Sequence, residues 1–256
     1  PCENECLLAE HGDPVPIRAL KRYASDYELA RRPLNSTPCS LTKKEKIAII
    51  GAGPAGLTAA VDLIRKGYPI TVYEKENEPG GMLRYAIPPY RLPDRTLKRE
   101  IDWIQQLGIT IKTHTNIKTP TSLLKKGYSA VLIAAGTPNS ILLTIPGSDT
   151  NGLLNPLTLL KAINQKKPPT ITGDVLVIGG GSTAFDAARS AKRLGAQKVT
   201  IAYRRTITEM PADREEIHEA QNEGIKIQTL AIPQKILIKD NKATGVEFLK
   251  AKLGKP

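Results

Sequence analysis

Short apolar runs alternate with amphipathic stretches along most of this 256-residue chain. Apolar runs of four or five residues are typical of buried strands, and apolar residues spaced by three and four positions indicate helices. The predicted strands cover 46–50, 70–73, 109–112, 130–135, 175–178, 199–203 and 225–229, a predicted hairpin covers 236–249, and the predicted helices cover 54–66, 97–107, 182–194 and 211–223. This alternation predicts an α/β fold whose mostly parallel sheets carry helices on both faces.

The strand–helix plan restarts after the segment 166–169, which holds two lysines and two prolines. We therefore expect two tandem Rossmann-like dinucleotide-binding domains, each with three layers, over residues 41–168 and 169–256. Residues 1–40 form a smaller first segment. Its apolar spacing predicts a helix at 17–30, and the prolines and small polar residues that follow are typical of a linker.

Charge gives only weak guidance to the partners of the protein. Lys and Arg number 37 against 25 Asp and Glu, so the formal net charge is +12. Such a surface attracts acidic proteins or nucleic acid. The positive charges are interleaved with acidic residues, and aromatic residues make up only 4% of the chain, too few for base-stacking surfaces. We expect no nucleic-acid partner.

The apolar runs are too short to cross a bilayer, which takes roughly 20 apolar residues. No leader with a basic start and an apolar stretch opens the chain. We therefore expect a cytoplasmic protein without a membrane anchor. The first residue is Pro1 rather than methionine, so we also expect this chain to be a fragment or a processed product.

A glycine-rich loop follows the first predicted strand and opens the first predicted helix of the strand–helix region. In the motif Gly51-Ala52-Gly53-Pro54-Ala55-Gly56, Gly51 makes the tight turn, Gly53 lets a pyrophosphate approach the backbone, and Gly56 allows close packing of helix on strand. Glu74 ends the next strand, where a carboxylate can accept hydrogen bonds from ribose hydroxyls. The sequence therefore predicts a dinucleotide site here.

The segment after this strand favours a flavin in the first site. Gly80 and Gly81 precede the apolar pair Met82 and Leu83, so a bulky flat ring could lie against bare backbone. An ordinary surface turn would have the same composition, and the residues alone leave that alternative open.

A second glycine loop, Gly179-Gly180-Gly181-Ser182-Thr183-Ala184, repeats the arrangement. Arg204 and Arg205 stand where the first unit has its glutamate. Guanidinium groups bind a 2′-phosphate through forked, charge-assisted hydrogen bonds, whereas an acid would repel it. The pattern favours NADP(H), although two solvated arginines remain an alternative. Asp186 could complement the helix start or touch the cofactor, and Met210-Pro211 is expected to start the next helix.

Several motifs together resemble the small (beta) subunit of glutamate synthase and the matching flavin modules of dihydropyrimidine dehydrogenase and NADH-dependent ferredoxin:NADP reductase. They include the two glycine loops and these further segments: Cys2-Glu3-Asn4-Glu5-Cys6, residues 16–23, Gly80-Gly81-Met82-Leu83, Ile87-Pro88 with Arg91-Leu92, Ala135-Gly136-Thr137, Tyr203-Arg204-Arg205 with Met210-Pro211, and 245–254. The resemblance spans nearly the whole chain. It implies a module with FAD, NADPH and an iron–sulfur centre, in which Lys75, Gly136 and Thr137 join the cofactor-binding set.

The resemblance also implies a metal role for two cysteines. Cys2 and Cys6 match two N-terminal ligands of a 4Fe-4S cluster in the family, and such a cluster normally takes four thiolates. Cys39 does not match a ligand. The resemblance therefore implies that residues 1–40 are a partial helical iron–sulfur domain and linker with an incomplete ligand set, and two idle thiols remain an alternative. We also expect the chain to lack the segment that completes the flavin pocket in the family.

The activity that the resemblance implies is hydride transfer from NADPH to FAD. Electrons then pass to an iron–sulfur centre or to a partner protein such as a glutamate synthase large subunit, a ferredoxin or another dehydrogenase subunit. No general base is required, and the histidines are isolated in the sequence. A flavin disulfide reductase would need a Cys-x-x-Cys pair, which the sequence lacks. A non-catalytic FAD-binding relay or docking subunit, or a fold without cofactor, are the other readings.

Overall fold

A computed structural model describes residues 2–3, 5–31, 37–141, 143–252 and 254. The chain divides into two units, Pro1–Thr37 and Pro38–Pro256. The first contains a short 3-10 helix, Leu7–Glu10, and helix α1, Ile17–Arg31, which confirms the helix predicted at 17–30. Residues 32–36 of the predicted linker lie outside the described residues.

Four parallel strands form the first sheet of the larger unit, in the order β3-β2-β1-β4. Their bounds are β1 Ile47–Ile50, β2 Ile70–Tyr73, β3 Thr110–Lys112 and β4 Ala130–Ile133. This sheet and its helices form the first half of the larger unit. The helices are α2 Pro54–Arg65, α3 Met82–Tyr85, α4 Asp94–Gln106 and α5 Thr121–Leu124. Apolar residues of β1, β2, α2 and α4 form its main core, among them Ile49, Val72, Ile64 and Ile101.

The second half of the larger unit is built on another sheet, which has three parallel strands in the order β5-β6-β7. Its strands are β5 Val175–Ile178, β6 Val199–Ala202 and β7 Lys226–Gln228, and its helices are α7 Ser182–Arg193 and α8 Arg214–Asn222. A separate antiparallel hairpin, β8 Ala231–Lys239 and β9 Lys242–Lys250, follows. The expected α/β fold with two tandem parallel sheets is confirmed.

Helix α8 starts later than the sequence suggested. Pro211 does not occupy its first position, because Met210 is extended and Asp213 caps the helix by accepting a hydrogen bond from the Glu215 N–H. Met210 and Ala212 instead contribute to the core of the second half. Both residues lie before Asp213 and are buried but not helical, so the expectation that Met210-Pro211 starts the helix is wrong.

Helix α6, Pro156–Asn164, connects the two halves and was not predicted. The Asn155 side chain caps it by accepting from the N–H groups of Leu157 and Thr158. Leu159 packs into the core of the second half. The helix therefore belongs by packing with the second sheet, although it lies within 41–168. None of the helices in the described ranges has the length and apolar character needed to cross a bilayer.

Candidate functional site

The first glycine loop joins β1 to α2, and its first and last positions, Gly51 and Gly56, require glycine. The Gly51 N–H donates to the Tyr73 carbonyl at 2.8 Å, and Gly51 has a φ of +104°. A β-carbon at Gly56 would overlap the Gly51 carbonyl oxygen, whereas one at Gly53 would meet Gly81 Cα at 3.8 Å. Pro54 and Ala55 are exposed at the start of α2, where first-turn N–H groups lack intrahelical acceptors.

This geometry separates the packing glycine from the cofactor glycine. We expect Gly56→Ala to lower the free energy of unfolding by about 1–3 kcal/mol or more, because the added methyl overpacks the turn. Gly53→Ala should cost less than about 1 kcal/mol, since its backbone is extended (φ −81°, ψ −176°) and the space is open. Urea denaturation of both variants without added cofactor measures the difference. Equal losses would contradict this assignment of roles.

Glu74 lies directly after β2 and faces the glycine loop. The residue is only 6% exposed. Its Oε2 accepts a hydrogen bond from the Ala52 N–H at 2.8 Å, and its Oε1 accepts from the Glu76 N–H at 2.9 Å. The carboxylate is thus held at the mouth of the loop, where the sequence placed it. The neighbouring Lys75 is exposed.

The glycine pair after β2 packs against the first glycine loop. The Gly80 N–H donates to the Ala52 carbonyl at 2.8 Å. Gly81 has a φ of +54°, and a β-carbon there would lie 2.7 Å from Gly53 Cα. Met82 and Leu83 begin α3 and are half-buried. The backbone of this segment therefore forms one wall beside the loop.

Two further predicted residues lie beyond the end of β4. Gly136 has a φ of +63° and open space around its α-carbon, and Thr137 is exposed. Because β1 and β4 are parallel neighbours, these residues and the first glycine loop share the carboxyl edge of the sheet. Gly51 lies so close to this edge that a β-carbon there would overlap the Ala134 carbonyl oxygen.

The second glycine loop joins β5 to α7 in the same way. The Gly179 N–H donates to the Ala202 carbonyl at 3.0 Å. Gly181 caps α7 with open space around it, Ser182 and Thr183 are exposed, and Ala184 is buried. This end of α7 is therefore open to a phosphate group.

Sequence reasoning missed the role of the middle glycine in this loop. A β-carbon at Gly180 would lie 2.6 Å from the ring of Tyr203, and the Gly180 carbonyl accepts from the Ala212 N–H at 3.1 Å. Tyr203 is buried and its hydroxyl donates to the Glu209 carbonyl. The aromatic ring at the end of β6 thus explains why glycine is needed here.

Arg204 and Arg205 follow β6, at the same edge of the second sheet as the glycine loop. Both residues are exposed. The Arg205 carbonyl accepts from the Leu230 N–H at 3.0 Å, which fixes the backbone. Within the described part of the chain neither side chain forms an ion pair, so both guanidinium groups are available to an anionic ligand.

Asp186 is engaged by an arginine of the first half. Both oxygens of this buried carboxylate accept from Nη1 of Arg91, at 2.8 and 2.9 Å, and Nη2 of Arg91 lies 2.5 Å from Oε1 of Glu216. Burial raises the pKa of Asp186, and the hydrogen bond from Arg91 opposes that rise. Arg91 belongs to a segment that the family resemblance marked, but its partners were not foreseen.

Tyr90, next to Arg91, packs on α7. The guanidinium carbons of Arg189 and Arg193 lie 4.9 and 4.0 Å from its ring centroid. Glu223 accepts hydrogen bonds from both arginines. The hydrogen bond from Arg193 and the contact with Arg189 together lower the pKa of Glu223 to about 2, against the effect of burial.

We expect Glu223→Gln to lower the free energy of unfolding by about 1–2 kcal/mol near neutral pH, since solvent partly screens the ion pair. The folded pKa lies below the unfolded value of 4.5, so this stabilisation is present above about pH 4.5 and is lost as the pH falls towards about 2. Urea unfolding of both proteins across this range measures it. A difference that does not change with pH would contradict the assignment.

A control for this experiment is Glu247→Gln. It removes an ion pair with Lys235 in which both side chains are about half exposed. We expect a change of less than about 1 kcal/mol for this exposed pair.

The N-terminal cysteines belong to the first unit. Cys2 is exposed and Cys6 is half-buried, and hydrogen bonds from the backbone of Val15 and Leu8 lower the pKa of Cys6. Among the described residues no group of three or more Cys, His, Asp or Glu could hold a metal ion. Two thiols do not complete a 4Fe-4S site, so the described residues do not fit such a cluster. Cys39 lies in the larger unit, against the first core.

Comparison with known proteins agrees with this geometry. The family described as pyridine nucleotide-disulphide oxidoreductase matches residues 45–254, which include both glycine loops. The chain is also similar to FprA of Mycobacterium tuberculosis, solved in complex with NADPH, with a TM-score of 0.66 and 18% identity, covering 82% of this chain and 70% of that one. At that identity the likeness concerns the fold.

Two relatives are similar along the whole chain. One is the NADPH-Fe(3+) oxidoreductase subunit beta of Geobacter sulfurreducens, 40% identical over 267 residues, with coverage of 100% of this chain and 39% of the relative. The other is a chain of Cereibacter sphaeroides named as a glutamate synthase (NADPH) small chain, 32% identical over 267 residues, with coverage of 100% and 64%. The chain thus spans less than two thirds of either relative.

These matches confirm the resemblance that the motifs suggested, since a chain named as a glutamate synthase small chain is among the relatives. The matched family region starts two residues before β1 and ends four residues after β9, so it contains every residue of the two glycine loops and of the Arg91 contacts. On its fold, its loops and this match, the chain belongs to the pyridine nucleotide-disulphide oxidoreductase family.

Proposed function

We propose that this chain is an electron-transfer module that moves a hydride from NADPH to FAD and passes the electrons to an iron–sulfur centre or a partner protein. The observation that carries the proposal is the contrast between two otherwise similar sites. The first glycine loop faces the buried carboxylate of Glu74, whereas the second lies at the same sheet edge as the exposed Arg204 and Arg205. Two sites of opposite charge suit two different dinucleotides.

The residues of the first site fit FAD. Gly51 and Gly53 leave the loop without side chains, and the first turn of α2 offers N–H groups to a pyrophosphate. A carboxylate has about four acceptor positions. Glu74 uses two of them for Ala52 and Glu76, so it can still accept hydrogen bonds from ribose hydroxyls. Lys75, Met82, Leu83, Gly136 and Thr137 are proposed to complete the contacts.

The residues of the second site fit NADPH. Gly179, Gly181 and the open start of α7 would hold the pyrophosphate, with Ser182 and Thr183 beside it. Arg204 and Arg205 would bind the 2′-phosphate, because guanidinium groups match the geometry of phosphate oxygens. This phosphate distinguishes NADPH from NADH, so the two arginines would set the preference for the coenzyme.

When bound, FAD accepts a hydride from the reduced nicotinamide and releases electrons one at a time. The residues of this chain bind and orient the two dinucleotides, and no side chain has to move a proton. The described cysteines do not fit a complete cluster, so no step is assigned to one. We propose that the acceptor is a redox partner protein, and the net charge of +12 would favour an acidic partner.

Dye reduction by the purified flavoprotein tests the proposal. We expect NADPH to support reduction of an artificial electron acceptor when FAD is bound, and NADH to support it less well. Bound FAD without any NADPH-driven dye reduction would indicate the non-catalytic relay instead. A protein that binds no FAD at all would contradict the proposal.

A further inference from the structure

We infer that Arg91 is a positioning residue for hydride transfer. Its pairing with Asp186 and Glu216 fixes the second glycine loop relative to the first, and so sets the rate of transfer more than the affinity for either dinucleotide. The inference rests on the proposed function, because it concerns the same pair of sites.

One guanidinium joins the starts of two helices. Arg91 lies in the proline-rich segment 88–93 of the first half. Asp186 lies in the second turn of α7, directly after the second glycine loop, and Glu216 lies in the first turn of α8. Nη1 donates hydrogen bonds to Asp186, and Nη2 forms an ion pair with Glu216. A single side chain of the first half therefore holds two elements of the second.

The two carboxylates need this cation. The side chains of Asp186 and Glu216 are only 8% and 11% exposed, whereas that of Arg91 is 32% exposed. Two buried carboxylates near one another repel unless a positive charge lies between them. Without Arg91 both would keep little hydration and lose the guanidinium that pairs with them, which is a strongly unfavourable arrangement. We expect α7 and α8 to move away from segment 88–93 in that case.

The residue next to Arg91 strengthens the same contact. The ring of Tyr90 faces the guanidinium groups of Arg189 and Arg193 on α7, at distances that suit cation–π contacts. Burial and the nearby charge of Asp186 raise the pKa of Tyr90 to about 12, so its ring stays neutral. Two consecutive residues of the first half thus bind α7 through different chemistry.

A continuous path leads from Arg91 back to the first glycine loop. The Arg91 N–H donates to the carbonyl of Pro88, which is fully buried. Segment 88–93 follows α3, and Gly81, the residue just before α3, packs against Gly53. Hydride transfer requires reacting atoms about 3–3.5 Å apart, so a small shift between the loops slows it strongly. Binding depends on each loop separately and should change little.

The test is the rate of flavin reduction in the flavin-loaded full chain after rapid mixing with NADPH. For Arg91→Gln we expect the rate at saturating NADPH to fall at least about tenfold, while the dissociation constant for NADPH changes less than about threefold. The FAD content per chain should stay at the wild-type level. Contacts of Lys161 with Glu76 and of Asn164 with Ile87 also join the halves, so we expect the variant to fold.

Arg95→Gln is the matched control, because Arg95 is exposed on α4 and lies four residues away. We expect its rate to equal that of the wild type. Should Arg91→Gln not fold, Arg91→Lys and Glu216→Gln test the inference instead. We expect each of them to slow flavin reduction by NADPH while the FAD content stays at the wild-type level. A wild-type rate in these variants would overturn the inference, as would a loss that appears only in NADPH affinity. A wild-type protein whose flavin NADPH never reduces would instead reject the proposed function.

Discussion

Replacing both Arg204 and Arg205 with glutamine should weaken NADPH binding by at least about 100-fold, with less than about a threefold change for NADH. The reason is that a hydrogen bond to a charged group contributes roughly 1.5–3 kcal/mol, and each guanidinium would supply at least one to the 2′-phosphate. Both side chains are exposed after β6, so their removal should leave the fold unchanged. Titration of the protein with each coenzyme, followed by fluorescence, measures the two dissociation constants.

A double variant elsewhere on the sheet is the control that separates recognition of the 2′-phosphate from a general effect of positive charge. Lys198 and Lys226 are exposed at the opposite edge of the same sheet, where β6 and β7 begin. Replacing both with glutamine removes the same charge but should leave the ratio of NADPH to NADH affinity unchanged. An equal loss for both coenzymes in the arginine variant would show that the two arginines do not bind the 2′-phosphate.

Replacing Glu74 with glutamine should reduce the affinity for FAD at least about tenfold and the free energy of unfolding by about 1–3 kcal/mol. Both carboxylate oxygens accept backbone N–H groups in a buried position. An amide group would place its own N–H against one of these donors and would leave that donor unsatisfied. Equilibrium dialysis with FAD and urea denaturation measure the two effects.

Glu78→Gln serves as the control for Glu74, because Glu78 lies four residues further on and its side chain is 63% exposed. We expect normal FAD binding in this variant. Wild-type FAD affinity in Glu74→Gln would contradict the assignment of the first site to a flavin dinucleotide.

Most of the fold and the arrangement of each of the two sites could be predicted from the sequence. Strand β5 lies where the apolar run predicted it, and Glu74 reaches the glycine loop as its position after β2 suggested. These features depend on local spacing, in which a strand, a turn and a helix follow one another. Because periodicity and glycine positions report such local order directly, they could be interpreted without the structure.

The contacts between the two halves could not be predicted. Arg91 and Asp186 are separated by 95 residues, and one sequence carries no information about which distant charges meet. The contact of Gly180 with the Tyr203 ring depends in the same way on how β6 lies beside β5. Helix α6 had a local signal, an asparagine cap followed by proline, but no element was predicted at 156–164.

The central claim is that two sites of opposite charge, one at each glycine loop, bind two different dinucleotides between which electrons move. Anaerobic titration of the flavoprotein with NADPH tests this claim most directly. We expect the flavin absorbance to be lost completely after one NADPH per bound FAD. A flavin that stays oxidised in excess NADPH, but that a chemical reductant bleaches, would contradict the account.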